Sequence, residues 1–236
     1  LRNLDLSTFK YLENSNNSFR FEVRDTDDVP CFGKLNKLWD HPRFNRTTEI
    51  MQATAGLDGI IKYYFSHSIP FEGDKADLLV TNYAAKKYQD GNLVNGFLLP
   101  YYWIWFEKDK LINIYLKLVQ TVGGLHEKLI IHNDLKPDNV FVHKDGSVEV
   151  IDFDCSEIIP YHEAIIQPDS LILGTPDYFS NVRWTGQCNV KTDIYALGIT
   201  LFEMLGGQLP DTFKNLKKWN KLPWEQRHKK NKAHFE

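Results

Sequence analysis

The chain has 236 residues, 42% hydrophobic and 25% charged, a balance that suits a globular protein with a sizeable core. A net charge of -3 gives no electrostatic basis for nucleic-acid binding, and no apolar run approaches the ~20 residues of a membrane span. Cys31, Cys155 and Cys188 are far apart and form no CxxC pair, which speaks against zinc or disulfide scaffolds and for a reducing, cytoplasmic compartment.

Taken in chain order, residues 9–12, the alternating Phe19, Phe21 and Val23, and residues 30–38 read as three extended segments. Polar turns at 14–18 and 25–28 separate them, so a three-stranded antiparallel start is predicted. A helix is predicted over 42–56, opened by Pro42 and stopped by Gly56. Residues 59–65 and 76–83 are apolar and β-prone. Leu111, Ile114, Tyr115, Leu118, Val122 and Leu125 recur at helix spacing over 108–126. Residues 129–152 read as loop, strand, Asp-Gly turn at 145–146, and strand. Residues 193–205 are so apolar that a helix buried on all sides is predicted. The tail from 211 onward is polar and mixed in charge. A β-rich first part followed by a helical one implies two lobes and a cleft, joined near 81–86.

The residues with chemistry lie between these elements. Asp134, Lys136 and Asn139 stand within six residues on one loop, and Asp152 ends an apolar strand. A carboxylate, an ammonium and an amide on one loop, beside a second carboxylate, are the groups phosphoryl transfer uses. They orient a hydroxyl, neutralise phosphate charge and hold Mg²⁺ through hard oxygen ligands.

In this arrangement the sequence resembles the eukaryotic-type serine/threonine protein kinase family. His132-Asn133-Asp134 stands where that family has His-Arg-Asp, and Leu135-Lys136-Pro137-Asp138-Asn139 matches the rest of its catalytic loop. Asp152-Phe153-Asp154 stands for Asp-Phe-Gly, Gly174-Thr175-Pro176-Asp177-Tyr178 resembles the end of the activation loop, and Asp193 to Gly198 resembles the helix that anchors the catalytic loop. The resemblance implies an α+β, two-lobed fold. It has a small antiparallel β-sheet N-lobe with one helix (about 1–83), a hinge (about 82–86) and a mainly helical, shortened C-lobe (about 87–236), all within one domain over 1–236. It implies ATP and Mg²⁺, or Mn²⁺, as cofactors. Asp134 would orient the acceptor hydroxyl, Lys136 would steady the γ-phosphate, and Asn139 and Asp152 would hold metal. Lys34, preferred to Lys37, would hold the α- and β-phosphates with Glu49 as its ion-pair partner. Thr81, Asn82 and Ala84 would line the adenine pocket, and Phe19 and Val23 would cover the nucleotide. A protein hydroxyl is the implied acceptor.

Several positions depart from the family pattern. The nucleotide loop reads Glu13-Asn14-Ser15-Asn16-Asn17-Ser18-Phe19, without glycine, and Phe32 is bulky at the adenine roof. Asn133 replaces the arginine that pairs with a phosphorylated activation loop, which implies activity without that phosphorylation. Asp154 replaces a glycine, and Ser180-Asn181-Val182 stands for Ala-Pro-Glu. Such a reduced scaffold resembles the minimal kinases of bacterial effectors and viruses, for which the host cytoplasm is the implied compartment. A pseudokinase is the alternative reading, AMP transfer or small-molecule phosphorylation a further one, and residues 217–236 read as a solvated amphipathic end, with a docking segment for a regulatory partner as the alternative.

Overall fold

A computed structural model describes residues 3–15, 18–36, 41–71, 74–84, 86–89, 92–99, 108–167 and 173–205. The first lobe is a five-stranded antiparallel sheet of β1 (Leu4–Ser15), β2 (Ser18–Asp25), β3 (Pro30–Asn36), β4 (Tyr63–Phe71) and β5 (Asp74–Asn82), in the order β1-β2-β3-β5-β4. The helix α1 (His41–Ala53) follows β3. The expected three-stranded start is present, and its first strand begins earlier, at Leu4. Residues Ser15 and Ser18 pair across the β1–β2 turn, while Asn16 and Asn17, central to the glycine-poor loop, lie outside the described residues.

Register fixes which side chains share a face. Arg20 pairs with Lys34 and Lys34 with Leu79, while Glu22 pairs with Phe32 and Phe32 with Thr81. Directly opposed residues point to the same side of a sheet, and neighbours along a strand to opposite sides. Arg20, Phe32, Lys34, Leu79 and Thr81 therefore line one face. Val23, Cys31 and Val80 form an apolar cluster on the other, with Phe21 packed against it.

Strands β6 (Lys86–Gln89) and β7 (Asn92–Leu98) follow β5 and join β9 (Val140–His143) and β10 (Val148–Val150) in a second sheet, ordered β10-β9-β7-β6. The sequence reading places no strands at 86–98. The remaining elements are α2 (Lys108–Glu127), β8 (Ile130–Ile131), β11 (Glu157–Ile158), the one-turn helix α3 (Asn181–Trp184) and α4 (Val190–Met204). Leu111, Ile114, Leu118, Val122 and Leu125 of α2 are buried in one core with β9, β10, Ile50 and Met51 of α1, and Ala196 and Leu197 of α4. The link from α1 to β4 crosses this core closely: Gly59 has φ +77, and a Cβ there would lie 2.1 Å from Thr121 Oγ1. Only glycine fits both demands.

One expectation fails for α4. Thr192, Asp193, Ala196, Leu197, Thr200 and Met204 are its buried side, but Ile194, Phe202 and Leu205 are 56%, 50% and 53% exposed. Among the described residues, neighbours cover one side of α4 only, and an apolar sequence does not by itself bury the other. Residues 206–236, including the proposed docking segment, lie outside the described residues.

Candidate active site

The loop after β8 is shaped by its anchor. Asp193 is fully buried in the first turn of α4, and its carboxylate accepts the backbone N–H of His132 at 2.8 Å and of Asn133 at 2.9 Å. His126 Nε2 lies 2.9 Å from the same carboxylate. Asn133 sits in the left-handed region at φ +67, which asparagine enters more readily than most residues. Its side chain is buried and its Oδ1 accepts from Thr192 Oγ1 at 3.3 Å.

Beyond this anchor, Lys136 is extended, as a residue before proline prefers, and Pro137 starts a 3-10 turn over Pro137–Asn139. The turn swings Asn139 back onto Asp134: Asn139 Nδ2 donates to Asp134 O at 2.8 Å and to its Oδ2 at 3.1 Å. Lys136 Nζ lies 3.2 Å from Asp134 Oδ2 and donates to Thr175 Oγ1 at 2.6 Å. Thr175 N in turn donates to Asp134 Oδ1 at 2.7 Å. The segment after Gly174 is thus stitched onto Asp134 and Lys136.

Asp152 follows β10 and Ile151, with φ +64, and opens a 3-10 turn over Phe153–Cys155. Phe153 is buried against the His132 ring, 4.9 Å between centroids, and His132 Nε2 is 3.0 Å from Ile151 O. From the other lobe, buried Lys34 reaches Asp152 Oδ1 at 3.2 Å and also contacts Asp154 Oδ2. Burial works against the Lys34 ammonium, but Asp152 and Asp154 outweigh it and hold its pKa above the ordinary lysine value. Burial also opposes charge on Asp152, yet Lys34 holds that carboxyl below the usual range. Asp154 is pushed above the usual range, by burial first, with Asp152 adding to it against the pull of Lys34. Two carboxylates meet Lys34, with the Arg20 guanidinium also near them, and the pair divides accordingly. Burial, with Asp134, Asp152 and Asp154 nearby, pushes the Cys155 thiol up, so thiolate chemistry is not on offer.

These groups meet along a cleft of about 570 Å³. Lys34, Thr81, Asn82, Ala84, Lys136, Asn139, Asp152 and Asp154 line it, with Phe32 and Met51 among its apolar walls. Phe32 lines the cleft and stacks on Tyr83, 6.0 Å between ring centroids. Asn82 is braced by its side chain, which accepts from Lys62 N at 2.5 Å and donates to Glu149 Oε2 at 3.1 Å.

Three assignments from sequence need correction. Phe19 and Val23 are not among the lining residues, because strand alternation turns them to the sheet's other face, and Arg20 takes the cleft side instead. Glu49 is exposed: the inward face of α1 carries Phe44, Thr47, Ile50 and Met51, and none of these is a carboxylate. Lys34 is paired from the second lobe instead, through Asp152 and Asp154. Lys37, the alternative to Lys34, lies outside the described residues. Sequence reasoning misses the roles of two contributors. Thr175 stands out only as part of a motif, and Arg20 only as a strand residue.

Asp154 occupies Lys34, so any anion brought to that ammonium must compete with it. Asp154→Asn is expected to tighten nucleotide binding in metal-free buffer by about tenfold, roughly 1.4 kcal/mol. Titration with a fluorescent ADP analogue reads this, and an unchanged Kd would show that Asp154 does not hold Lys34 in solution.

Among known families, the protein kinase domain family matches residues 39–234. Among similar curated proteins, the probable serine/threonine-protein kinase PknB of Lactococcus lactis is 37% identical over 103 residues, 43% of this chain and 16% of that one. Serine/threonine-protein kinase PrkC of Bacillus subtilis is 34% identical over 100 residues, 42% of this chain and 15% of that one. The probable receptor-like protein kinase At2g47060 of Arabidopsis thaliana is 30% identical over 159 residues, 66% of this chain and 39% of that one. The chain therefore spans well under half the length of these relatives. A family match over most of the chain, on a fold with an antiparallel sheet lobe facing a helical lobe, makes this chain a member of the protein kinase family.

Proposed function

We propose that the chain is an ATP-dependent serine/threonine protein kinase that acts on a protein hydroxyl. The observation that carries this reading is the meeting of Lys136, Asn139, Asp152 and Lys34 at one cleft, with Asp134 held beside it by Lys136 and Asn139, although Lys34 and Asp152 are 118 residues apart in sequence. Asp134 would accept or orient the proton of the acceptor hydroxyl, with Thr175 N and Asn139 fixing its carboxylate. Lys136 would steady the transferred phosphoryl group. Lys34 would exchange Asp154 for the α- and β-phosphates. Thr81 and the Asn82 carbonyl would face the adenine, with Ala84 beside them. The Asn82 N–H already donates to Lys62 O at 2.9 Å, so its contribution falls to the carbonyl. The hinge would then lie at about 82–86, within one kinase domain.

The donor set fits a magnesium ion, with manganese as an alternative. Both contacts of Asn139 Nδ2 are to oxygens, which fixes the amide orientation and leaves Oδ1 for a hard cation, beside the Asp152 carboxylate. Bound there, the ion would neutralise phosphate charge.

Asn133 supports independence from activation-loop phosphorylation, because its buried side chain is engaged with Thr192 and carries no charge for a phosphate. Ser170→Ala is expected to leave the rate of substrate labelling within about twofold. Loss of labelling would show that the switch exists.

A pseudokinase is favoured by one specific observation: Lys34 is held by two aspartates, and the inward face of α1 offers it no carboxylate. Incubation with γ-labelled ATP, Mg²⁺ and generic protein substrates separates the readings. Label on protein that disappears in Asp134→Asn and Asp152→Ala supports the kinase. Nucleotide binding without label supports the pseudokinase, and label only from α-labelled ATP would indicate AMP transfer.

A further inference from the structure

We propose that Arg183 is a positioning residue, which fixes residues 173–175 against Asp134 and Lys136. Its link to catalysis rests on the kinase reading above, but its structural role does not.

Arg183 lies in α3, whose N-cap is Ser180: the Arg183 N–H donates to Ser180 Oγ at 3.3 Å. The side chain is buried at 3% exposure. Its Nη2 donates to Leu173 O at 2.7 Å, and its Cζ lies 5.4 Å from the centre of the Phe179 ring. Phe179 is held edge-on by Trp184, 5.2 Å between centroids. The aromatic shelf holds the planar cation in place, and its Nη2 then reaches the Leu173 carbonyl.

The backbone just after Leu173 runs through a tight space. Gly174 has φ +108, and a Cβ there would lie 3.0 Å from Phe179 Cε1, 3.1 Å from Asn133 O and 3.3 Å from Asp134 Oδ1. The backbone is therefore wedged between the Phe179 shelf and the loop that carries Asp134. The next residue, Thr175, gives its N–H to Asp134 and its hydroxyl oxygen to Lys136. Arg183 thus holds the strip two residues upstream of the contacts that orient both groups.

Stability does not account for the arginine. Nε and Nη1 of Arg183 are buried and have no hydrogen-bond partner among the described residues, and no ion pair there joins the guanidinium to a carboxylate. A buried charge with so few partners is less favourable than an apolar side chain of similar size. Methionine would pack on Phe179 without that penalty. What methionine cannot do is donate to Leu173 O.

The test compares Arg183→Met and Arg183→Lys with the wild-type chain by hydrogen exchange of peptides covering 173–178, beside thermal unfolding and steady-state kinetics. Arg183→Met is expected to keep or raise the melting temperature, while the Thr175 amide exchanges at least about tenfold faster. Its kcat should fall at least about tenfold with KM for ATP within about twofold, and Lys should restore part of both effects. Unchanged Thr175 exchange in a folded Met variant overturns the proposal, as does a kcat loss matched by an equal rise in KM for ATP. Should Met prevent folding, Arg183→Gln is read by the same exchange criteria. A wild-type chain without Asp134-dependent transfer would overturn the kinase reading, whereas the exchange result decides the role of Arg183 separately.

Discussion

Replacing Asp134 with asparagine is expected to slow phosphoryl transfer by about 10²–10⁴-fold, the range over which a positioned acid or base acts. Nucleotide affinity should stay within about twofold, since the substitution touches the acceptor side of the site. The geometry explains why the near-isosteric change is so damaging. Asp134 receives donors on both oxygens, Thr175 N on Oδ1 and Asn139 Nδ2 with Lys136 Nζ on Oδ2. An amide offers one acceptor only. Its NH₂ must then face Thr175 N or the Asn139–Lys136 pair, so the variant loses the carboxylate and loosens the groups around it. Single-turnover labelling with γ-labelled ATP measures this, with exposed Glu127→Gln as the control that leaves the rate unchanged. An Asp134→Asn protein that labelled substrate at the wild-type rate would remove Asp134 from the reaction.

The second large effect concerns the anchor. Asp193→Ala is expected to cost about 3–5 kcal/mol of unfolding free energy, the scale for removing one partner of a buried charged network. The carboxylate is fully buried and satisfies two backbone N–H groups, those of His132 and Asn133, which have no water to turn to once it is gone. Typical domain stability is about 5–15 kcal/mol, so this single change removes a large share of it. Asp193→Asn keeps one acceptor oxygen and should cost less. Urea unfolding compares the three proteins. A shift below about 1 kcal/mol for alanine would mean that the loop finds other acceptors, and that its left-handed Asn133 does not depend on Asp193.

These results bear on how the two lobes cooperate. The loop that carries Asp134 is held by α4 through Asp193, and by Ile151 and Phe153 through His132. The nucleotide side is less committed. Lys34 reaches across to Asp152 and Asp154, and α1 is tied to the second lobe by Arg46 and Glu157 rather than to Lys34 by Glu49. A nucleotide would therefore rearrange charges at Lys34 while finding Asp134, Lys136 and Asn139 already in place.

The amino-acid sequence by itself determined the features whose geometry is local. Asp134, Lys136 and Asn139 could be read together because a Lys-Pro step and one 3-10 turn bring them together within six residues. The core side of α2 was legible for the same reason, since helix spacing alone aligns Leu111, Ile114, Leu118, Val122 and Leu125. Strand alternation located β2, but alternation gives two faces without saying which meets the cleft, and packing puts Val23 on the face away from it. Spacing likewise placed Glu49 on α1, whereas the rotation of that helix, set by packing of Ile50 and Met51, turned it to solvent. Only the tertiary structure decided the partners of Lys34, because Asp154 lies 120 residues away and no local pattern links them. Arg183 was hidden for a similar reason: an arginine reads as a surface residue until the chain folds Phe179 beneath it and Leu173 in front of it. Local chemistry is encoded by spacing along the chain, while charge partners and the choice of face are set by how separate elements pack.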